Sequence, residues 1–234
     1  MSKRAIILSG GKGTRLRPYT AVLPKPLMPI GEYPILEVII RQLINQGFDH
    51  ITLALNHQAD IFKSFFGDGS KWNIRIDYSL ETKPLSTMGP LTLIDDLDDN
   101  FLIMNGDILS DIQYGKLYDE HVKSGSIFTI SSYKREAAID YGVLEVENGI
   151  LTGFTEKPKY HFEVSMGVYI ASKKILDYIP YNEAYGFDKL MLELIKAHEK
   201  VQVKNYDGIW LDIGRPDDYE QAIDLFEEKR NLFL

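Results

Sequence analysis

The sequence predicts an α/β fold: a Rossmann-like, mixed and mostly parallel sheet flanked by helices, with a small antiparallel lobe attached. Three observations predict it. In the first half, short apolar runs at 5–8, 50–55 and 101–104 alternate with segments of helical period, the pattern of strands laid parallel with helices on their faces. In the second half, strand-like runs follow one another, and Glu147-Asn148-Gly149 is a turn signal between two of them. The first apolar run also empties into small residues, Ser9-Gly10-Gly11-Lys12-Gly13-Thr14-Arg15, at the strand end where open α/β sheets bind ligands.

The elements follow in order. Ala5-Ile6-Ile7-Leu8 reads as a buried strand, and residues 35–46 carry apolar side chains at helical spacing up to Gly47, a natural residue to follow a helix end. His50–Leu55 is a second strand, Ala59–Phe66 a short helix closed by Gly67-Asp68-Gly69, and residues 74–78 alternate like a strand. Residues 101–104 form another buried strand, ending in Asn105-Gly106-Asp107, and 114–123 a helix. Strands are then expected at 126–132, 143–147, 150–155 and 164–171, helices at 173–178 and 188–198, a strand at 201–206, and a terminal amphipathic helix from Pro216. Tyr219, Phe226 and Phe233 of that helix are expected in the core rather than at a dimer contact. With no repeat, low-complexity run or linker, residues 1–234 read as one domain with two lobes.

The glycine loop points to phosphate chemistry. Glycines let backbone N–H groups approach an anion, and Arg15, Arg17 and Lys25 bring cations to the same neighbourhood. Two better-known phosphate loops are excluded. No window supplies Gly-x-x-x-x-Gly-Lys-Ser/Thr, and prolines at 18, 24, 26 and 29 forbid the long helix that must follow a Gly-x-Gly-x-x-Gly turn. Asp107 ends a predicted buried strand, where a carboxylate is costly unless it is paired or holds a metal.

Composition narrows the classes. The chain has 234 residues, 44% hydrophobic and 26% charged, enough for a sizeable core. It has no cysteine, so any metal site must use oxygen or histidine ligands. The five histidines (50, 57, 121, 161, 198) show no zinc-like spacing and are assigned no catalytic role. No apolar run approaches the ~20 residues of a membrane span, and the start is too short for a signal peptide, so no membrane partner and a cytoplasmic location are expected. A formal net charge of −8 argues against nucleic-acid partners, and any polyanion site must be locally basic. Asp95-Asp96-Leu97-Asp98-Asp99 reads as a solvated loop rather than a metal cluster.

Gly10-Gly11-Lys12-Gly13-Thr14-Arg15-Leu16-Arg17-Pro18, followed by Leu23-Pro24-Lys25-Pro26-Leu27, resembles the signature of sugar-1-phosphate nucleotidylyltransferases. Within that family the look is nearest to bacterial mannose-1-phosphate and heptose-1-phosphate guanylyltransferases, and the resemblance covers essentially the whole chain. It implies that Ser9, Gly10, Gly11, Gly13, Thr14, Arg15, Glu81, Gly89 and Asp107 bind a nucleoside triphosphate. It also implies that Asp107 and Asp212, the latter in Trp210-Leu211-Asp212-Ile213-Gly214, hold one Mg2+. Thr155-Glu156-Lys157-Pro158 matches the family's Glu-Lys-Pro, so Lys157 would hold the sugar phosphate with Lys25, and Glu156 would accept from sugar hydroxyls. Gly142 and Ser165 match further sugar-side positions, the serine replacing the family's asparagine. The implied catalytic set is Arg15, Lys25, Asp107, Lys157 and Asp212. Because the chain stops soon after Gly214, the expectation is a catalytic core without the C-terminal β-helix of many relatives.

The implied reaction joins a nucleoside monophosphate to a sugar-1-phosphate for surface-polysaccharide precursors, by a monomer or homodimer. Leu80 to Leu91 resembles the guanylyltransferase segment, and a Glu81 carboxylate, an acceptor only, suits guanine's paired N1–H and N2 donors. GTP is favoured over dTTP or UTP, and Ser86 and Met88 replace the family's glycine and alanine there. The alternatives are thymidylyl or uridylyl transfer to another sugar phosphate, and a non-catalytic nucleotide-sugar-binding homologue. A glycosyltransferase wants Asp-x-Asp, which Asp107-Ile108-Leu109-Ser110-Asp111 does not supply.

Overall fold

A computed structural model describes residues 2–11, 13–56 and 58–234; Lys12 of the glycine loop and His57 lie outside the described residues. The strands in chain order are β1 (Arg4–Leu8), β2 (Pro29–Ile30), β3 (Tyr33–Pro34), β4 (His50–Leu55), β5 (Arg75–Leu80), β6 (Asn100–Asn105), β7 (Ile108–Ser110), β8 (Phe128–Ala138), β9 (Val143–Glu147), β10 (Ile150–Thr155), β11 (Lys159–Ser172), β12 (Val201–Tyr206) and β13 (Trp210–Asp212). The helices are α1 (Ile35–Asn45), α2 (Ala59–Phe66), α3 (Tyr114–Ser124), α4 (Phe187–Lys196), α5 (Pro216–Glu228) and α6 (Arg230–Phe233).

Seven strands form the main sheet in the order β12-β8-β11-β6-β1-β4-β5. The β6-β1-β4-β5 part is parallel, β11 runs antiparallel to both β6 and β8, and β12 returns parallel to β8. The expected mixed, mostly parallel sheet is therefore present. Successive side chains of a strand face opposite sides, and the apolar runs feed two cores accordingly. Ala5 and Ile7, with Leu102 and Met104, pack with α1 and α5 on one face, while Ile6, Phe101 and Ile103 pack with α4 on the other. Each fully buried aliphatic or aromatic side chain contributes about 1.5–3 kcal/mol. Tyr219, Phe226 and Phe233 are buried in the first core, as expected for the terminal helix.

Several features were not in the sequence reading. β8 and β11 run on past the expected ends, pairing Lys134 through Ala138 with Lys159 through Glu163. Residues Lys173–Tyr178 form a 3-10 rather than an α-helix. The short strands β7 and β13 pair across about a hundred residues, with Asp212 opposite Ile108. Nor is the acidic loop merely solvated: Asp96 accepts from Arg4, whose buried guanidinium also donates to Thr52 Oγ1 at 2.8 Å.

Candidate active site

The glycine loop leaves β1 between β6 and β4 in the sheet and is stitched to both neighbours. The Ser9 N–H donates to the Ala54 carbonyl (2.9 Å) and the Gly106 N–H to the Leu8 carbonyl (3.0 Å). Gly13 takes a left-handed backbone (φ +59°), and its carbonyl accepts from Thr20 Oγ1 at 2.6 Å. The prolines act as expected. Only single 3-10 turns follow, at Thr14–Leu16, Tyr19–Ala21 and Lys25–Leu27, the first anchored by buried Leu16 and the last turning Lys25 inward.

Lys25, 8% exposed, forms an ion pair with Asp107 Oδ2. Asp107 Oδ1 is buried with no hydrogen-bond partner among the described residues, and the same is true of the nearby Ser9 Oγ. The β7–β13 pair brings the second carboxylate alongside: Asp212 ends β13, and the Ile213 N–H donates to the Asp107 carbonyl at 3.1 Å. The Asp212 side chain reaches solvent, yet the protein packed around it, and then the Asp107 carboxylate, push its pKa up; Lys25 and Arg15 pull the other way. Arg15 lies against Gly214, where an added Cβ would sit 3.5 Å from its guanidinium.

That direction has a consequence for stability. A carboxyl whose native pKa is raised binds its proton more readily folded than unfolded. Its favourable contribution is complete below the ordinary carboxylate pKa and is lost as pH rises through the native value. At neutral pH an ionised Asp212 is thus a net cost to the fold. Asp212→Asn is expected to melt above the parent at neutral pH, with the gain shrinking as pH falls into the ordinary carboxylate range. A gain independent of pH in thermal denaturation would show that charge is not the cause.

A cleft of about 480 Å³ opens over Arg15, Lys25 and Asp107, with Asp212 outside its lining; the volume is within the ~300–1,000 Å³ usual for a ligand site. All the residues expected to bind nucleotide line it except Gly89, and Lys25 and Gly214 join them; Arg17 does not. Gly89 lies beneath it, against the Glu183 carbonyl, and its N–H donates to the Tyr185 carbonyl at 3.1 Å. The far wall is the segment after β5. Glu81 Oε2 accepts the Leu85 N–H at 2.8 Å and Oε1 lies over Gly10; burial raises this carboxyl's pKa, the Leu85 N–H opposing. One carboxylate oxygen therefore already closes the turn.

Sequence reasoning missed what holds this wall. Tyr185 N–H donates to the Leu85 carbonyl (3.0 Å), Met88 N–H to the Tyr185 carbonyl (2.9 Å), and Phe187 N–H to Thr87 Oγ1 (2.8 Å). A contact across a hundred residues leaves no local signal. Ser86, at φ +64°, and Thr87 also line the cleft, as does Asn56, whose amide donates to the Gly10 carbonyl.

Of the sugar-side residues only Lys25 lines the cleft; Gly142, Glu156, Lys157 and Ser165 lie outside its lining. Gly142 sits against the Phe154 ring, where an added Cβ would be 3.2 Å from Glu156 Oε2. Lys157 turns at φ +44° after β10, and Ser165 Oγ shares a 2.8 Å hydrogen bond with Tyr169 OH. Among the described residues no helix is long and apolar enough to cross a membrane.

Known proteins resemble this chain along nearly its whole length. The family described as Nucleotidyl transferase matches residues 4–229. A UTP–glucose-1-phosphate uridylyltransferase of Synechocystis sp. is 34% identical over 241 residues, covering 94% of this chain and 62% of its own length. Mannose-1-phosphate guanylyltransferase 1 of Arabidopsis thaliana is 33% identical, covering 95% and 64%. The chain thus spans a little under two thirds of these relatives. The structure of HddC from Yersinia pseudotuberculosis complexed with GMP-PN superposes with a TM-score of 0.73 at 26% identity, covering 96% of this chain and 99% of that one. With a family match over residues 4–229, nearly its whole length, the chain belongs to the nucleotidyl transferase family.

Proposed function

We propose that the protein transfers a nucleoside monophosphate from a nucleoside triphosphate to a sugar-1-phosphate. The observation that carries this reading is the convergence of Arg15, Lys25 and Asp107 on one cleft beside the glycine loop, with Asp212 held next to Asp107. The reaction is an in-line displacement: a phosphate oxygen of the sugar phosphate forms a bond to the α-phosphorus as the bond to pyrophosphate breaks. The nucleophile is already anionic, so no general base is required. Positioning and charge neutralisation do the catalysis.

The donor set fits a hard divalent cation. Asp107 Oδ1 is a buried carboxylate oxygen without a partner, Asp212 stands beside it, and no group of three or more ligating side chains occurs among the described residues. Two carboxylates completed by phosphate oxygens and water suit Mg2+. Such a cation, held by Asp107 and Asp212, would screen the α-phosphate charge. The chain's own groups do the rest. Loop N–H groups orient the triphosphate, Arg15 neutralises the leaving pyrophosphate, Lys25 steadies the reacting phosphates, and Lys157 and Glu156 receive the sugar phosphate from the second lobe.

For the base, guanine is read from the Glu81 segment, whose carboxylate is an acceptor only. Oε2 closes the turn onto the Leu85 N–H, so Oε1, over Gly10, is left for one of guanine's two paired donors. A mannose-like or heptose 1-phosphate is the matching acceptor. Pyrophosphate release with four triphosphates against a panel of sugar-1-phosphates tests this, and GTP is expected to turn over fastest. A preference for UTP or dTTP overturns the base alone; no release with any pair overturns the reaction. Arg15→Ala is expected to weaken triphosphate binding about tenfold and to flatten its dependence on ionic strength.

A further inference from the structure

β13 carries Asp212 but is too short to fix its own register. It pairs with β7 over three residues, Trp210 with Ser110, Leu211 with Leu109 and Asp212 with Ile108, and no third strand joins the two. An isolated strand pair is marginal in water, and a slip of one residue turns every side chain to the other face. Such a slip would carry Asp212 away from Asp107. The pair is pinned at its ends instead. At one end the Ile213 N–H donates to the Asp107 carbonyl at 3.1 Å. At the other stands Asp111, the residue after β7. Its N–H donates to the Ile209 carbonyl (3.4 Å), and its Oδ1 accepts the Ile209 N–H in return (2.7 Å). The same Oδ1 accepts from the Tyr206 hydroxyl. Tyr206 ends β12 and pairs with Tyr133 in the main sheet, so one carboxylate oxygen ties the turn that feeds β13 to that sheet. The turn has no slack: a Cβ added at Gly208 would sit 2.8 Å from Asp111 Oδ1. A further tie, from the Trp210 indole N–H to the Met166 carbonyl (3.0 Å), holds a side chain rather than the strand's backbone.

We infer that Asp111 is a positioning residue for the metal site: its carboxylate sets the register of β13, and so the place of Asp212 beside Asp107. The inference rests on the reading of Asp107 and Asp212 as the two carboxylates of a divalent cation. Asp111 acts through the strand and not on the reactants. It is outside the cleft lining, and the three residues of β7 separate it from Asp107, about 10–13 Å along a strand. Its partners are those of an anchor. Oδ1 takes one N–H and one hydroxyl from a single turn, both neutral, where a carboxylate serving surface charge would face a cation. Burial, and then the Asp111 carboxylate, push the Tyr206 phenol's pKa up, so its proton stays in place and the tie does not switch near neutral pH. β7 itself is held from behind, the Gln42 amide donating to the Ser110 carbonyl at 2.8 Å. With β7 fixed, a lost tie at Asp111 lets β13 move and leaves Asp107 where it is.

The test compares Asp111→Ala, which removes the acceptor, with Asp111→Asn, whose amide oxygen accepts both bonds without a charge. Two readouts are taken on the nucleotide-free protein. One is Mn2+ affinity, followed by the loss of its free paramagnetic signal. The other needs no metal: hydrogen exchange of the Ile213 amide, at the far end of β13 from Asp111. Asp111→Ala is expected to weaken Mn2+ binding about tenfold or more and to speed Ile213 exchange by a similar factor. Asp111→Asn should stay within about twofold of the parent in both. Should the alanine variant not fold, Tyr206→Phe removes one of the two donors and keeps the ring, with about a threefold loss expected in each readout. Loosening confined to the turn would leave Ile213 protected. Unchanged Ile213 exchange in these variants, or equal losses with alanine and asparagine, would overturn the inference. A parent that binds no Mn2+ overturns the metal reading and this inference with it. A parent and an Asp111→Ala variant that bind Mn2+ equally well overturn the inference alone.

Discussion

Replacing Asp107 with alanine is expected to lower turnover at least about 10³-fold while leaving the fold in place. Two losses combine. The carboxylate is one of two oxygen donors proposed to hold the divalent cation, and its Oδ2 is the partner that positions Lys25. Stability should fall as well, because a lysine that is 8% exposed is left without its counter-charge. Breaking a fully buried pair costs about 3–5 kcal/mol. Here Asp107 retains some solvent contact, so about 1–3 kcal/mol is the expected loss. The double variant Asp107→Ala/Lys25→Met separates the effects. It removes both charges, so most of the stability should return while turnover stays absent. Mg2+-dependent turnover within about tenfold of the parent in Asp107→Ala would sink the assignment.

The parts of this site that the sequence declares are those written locally. An apolar run ending in glycines and cations specifies a strand and an anion-binding loop, and the prolines specify that no long helix follows. His50–Leu55, Val143–Glu147, Ile150–Thr155 and Val201–Tyr206 have the bounds that their composition and turn residues predict. The pairing that completes the site is not written locally. Ile108-Leu109-Ser110 follows a strand end after only two residues and is too short to carry a period, and its partner lies a hundred residues on. That pairing, not any local pattern, brings Asp212 to Asp107. The base-side wall is similar, because Tyr185 and Phe187 bind the segment after Glu81 through backbone groups any residue could supply. The outer halves of β8 and β11 escaped for another reason. Lys134-Arg135-Glu136 paired with Glu163-Phe162-His161 rests on no core, so its sequence lacks the buried alternation that marks a strand.

Lys25→Met is expected to move two measurements in opposite directions. Turnover should fall about 10²–10³-fold, because a preorganised cation is removed from beside the reacting phosphates. Binding of a divalent cation to the nucleotide-free protein should tighten. In the parent, the Lys25 ammonium occupies Asp107 Oδ2 and lies close enough to Asp212 to lower its pKa, so an incoming cation meets both a competitor and a like charge. Methionine keeps the apolar stem of the side chain and removes that charge, leaving two carboxylates that repel each other and gain more from a shared cation. Titration with Mn2+, followed by the loss of its free paramagnetic signal, reads the second effect without any turnover. Arg15→Ala is the control, since it removes a cation from the same cleft without releasing Asp107 and should tighten Mn2+ binding less. Weaker or unchanged Mn2+ binding in Lys25→Met would mean that Lys25 and the metal do not share Asp107. Turnover near the parent's would mean that the ammonium is not part of the reacting charge.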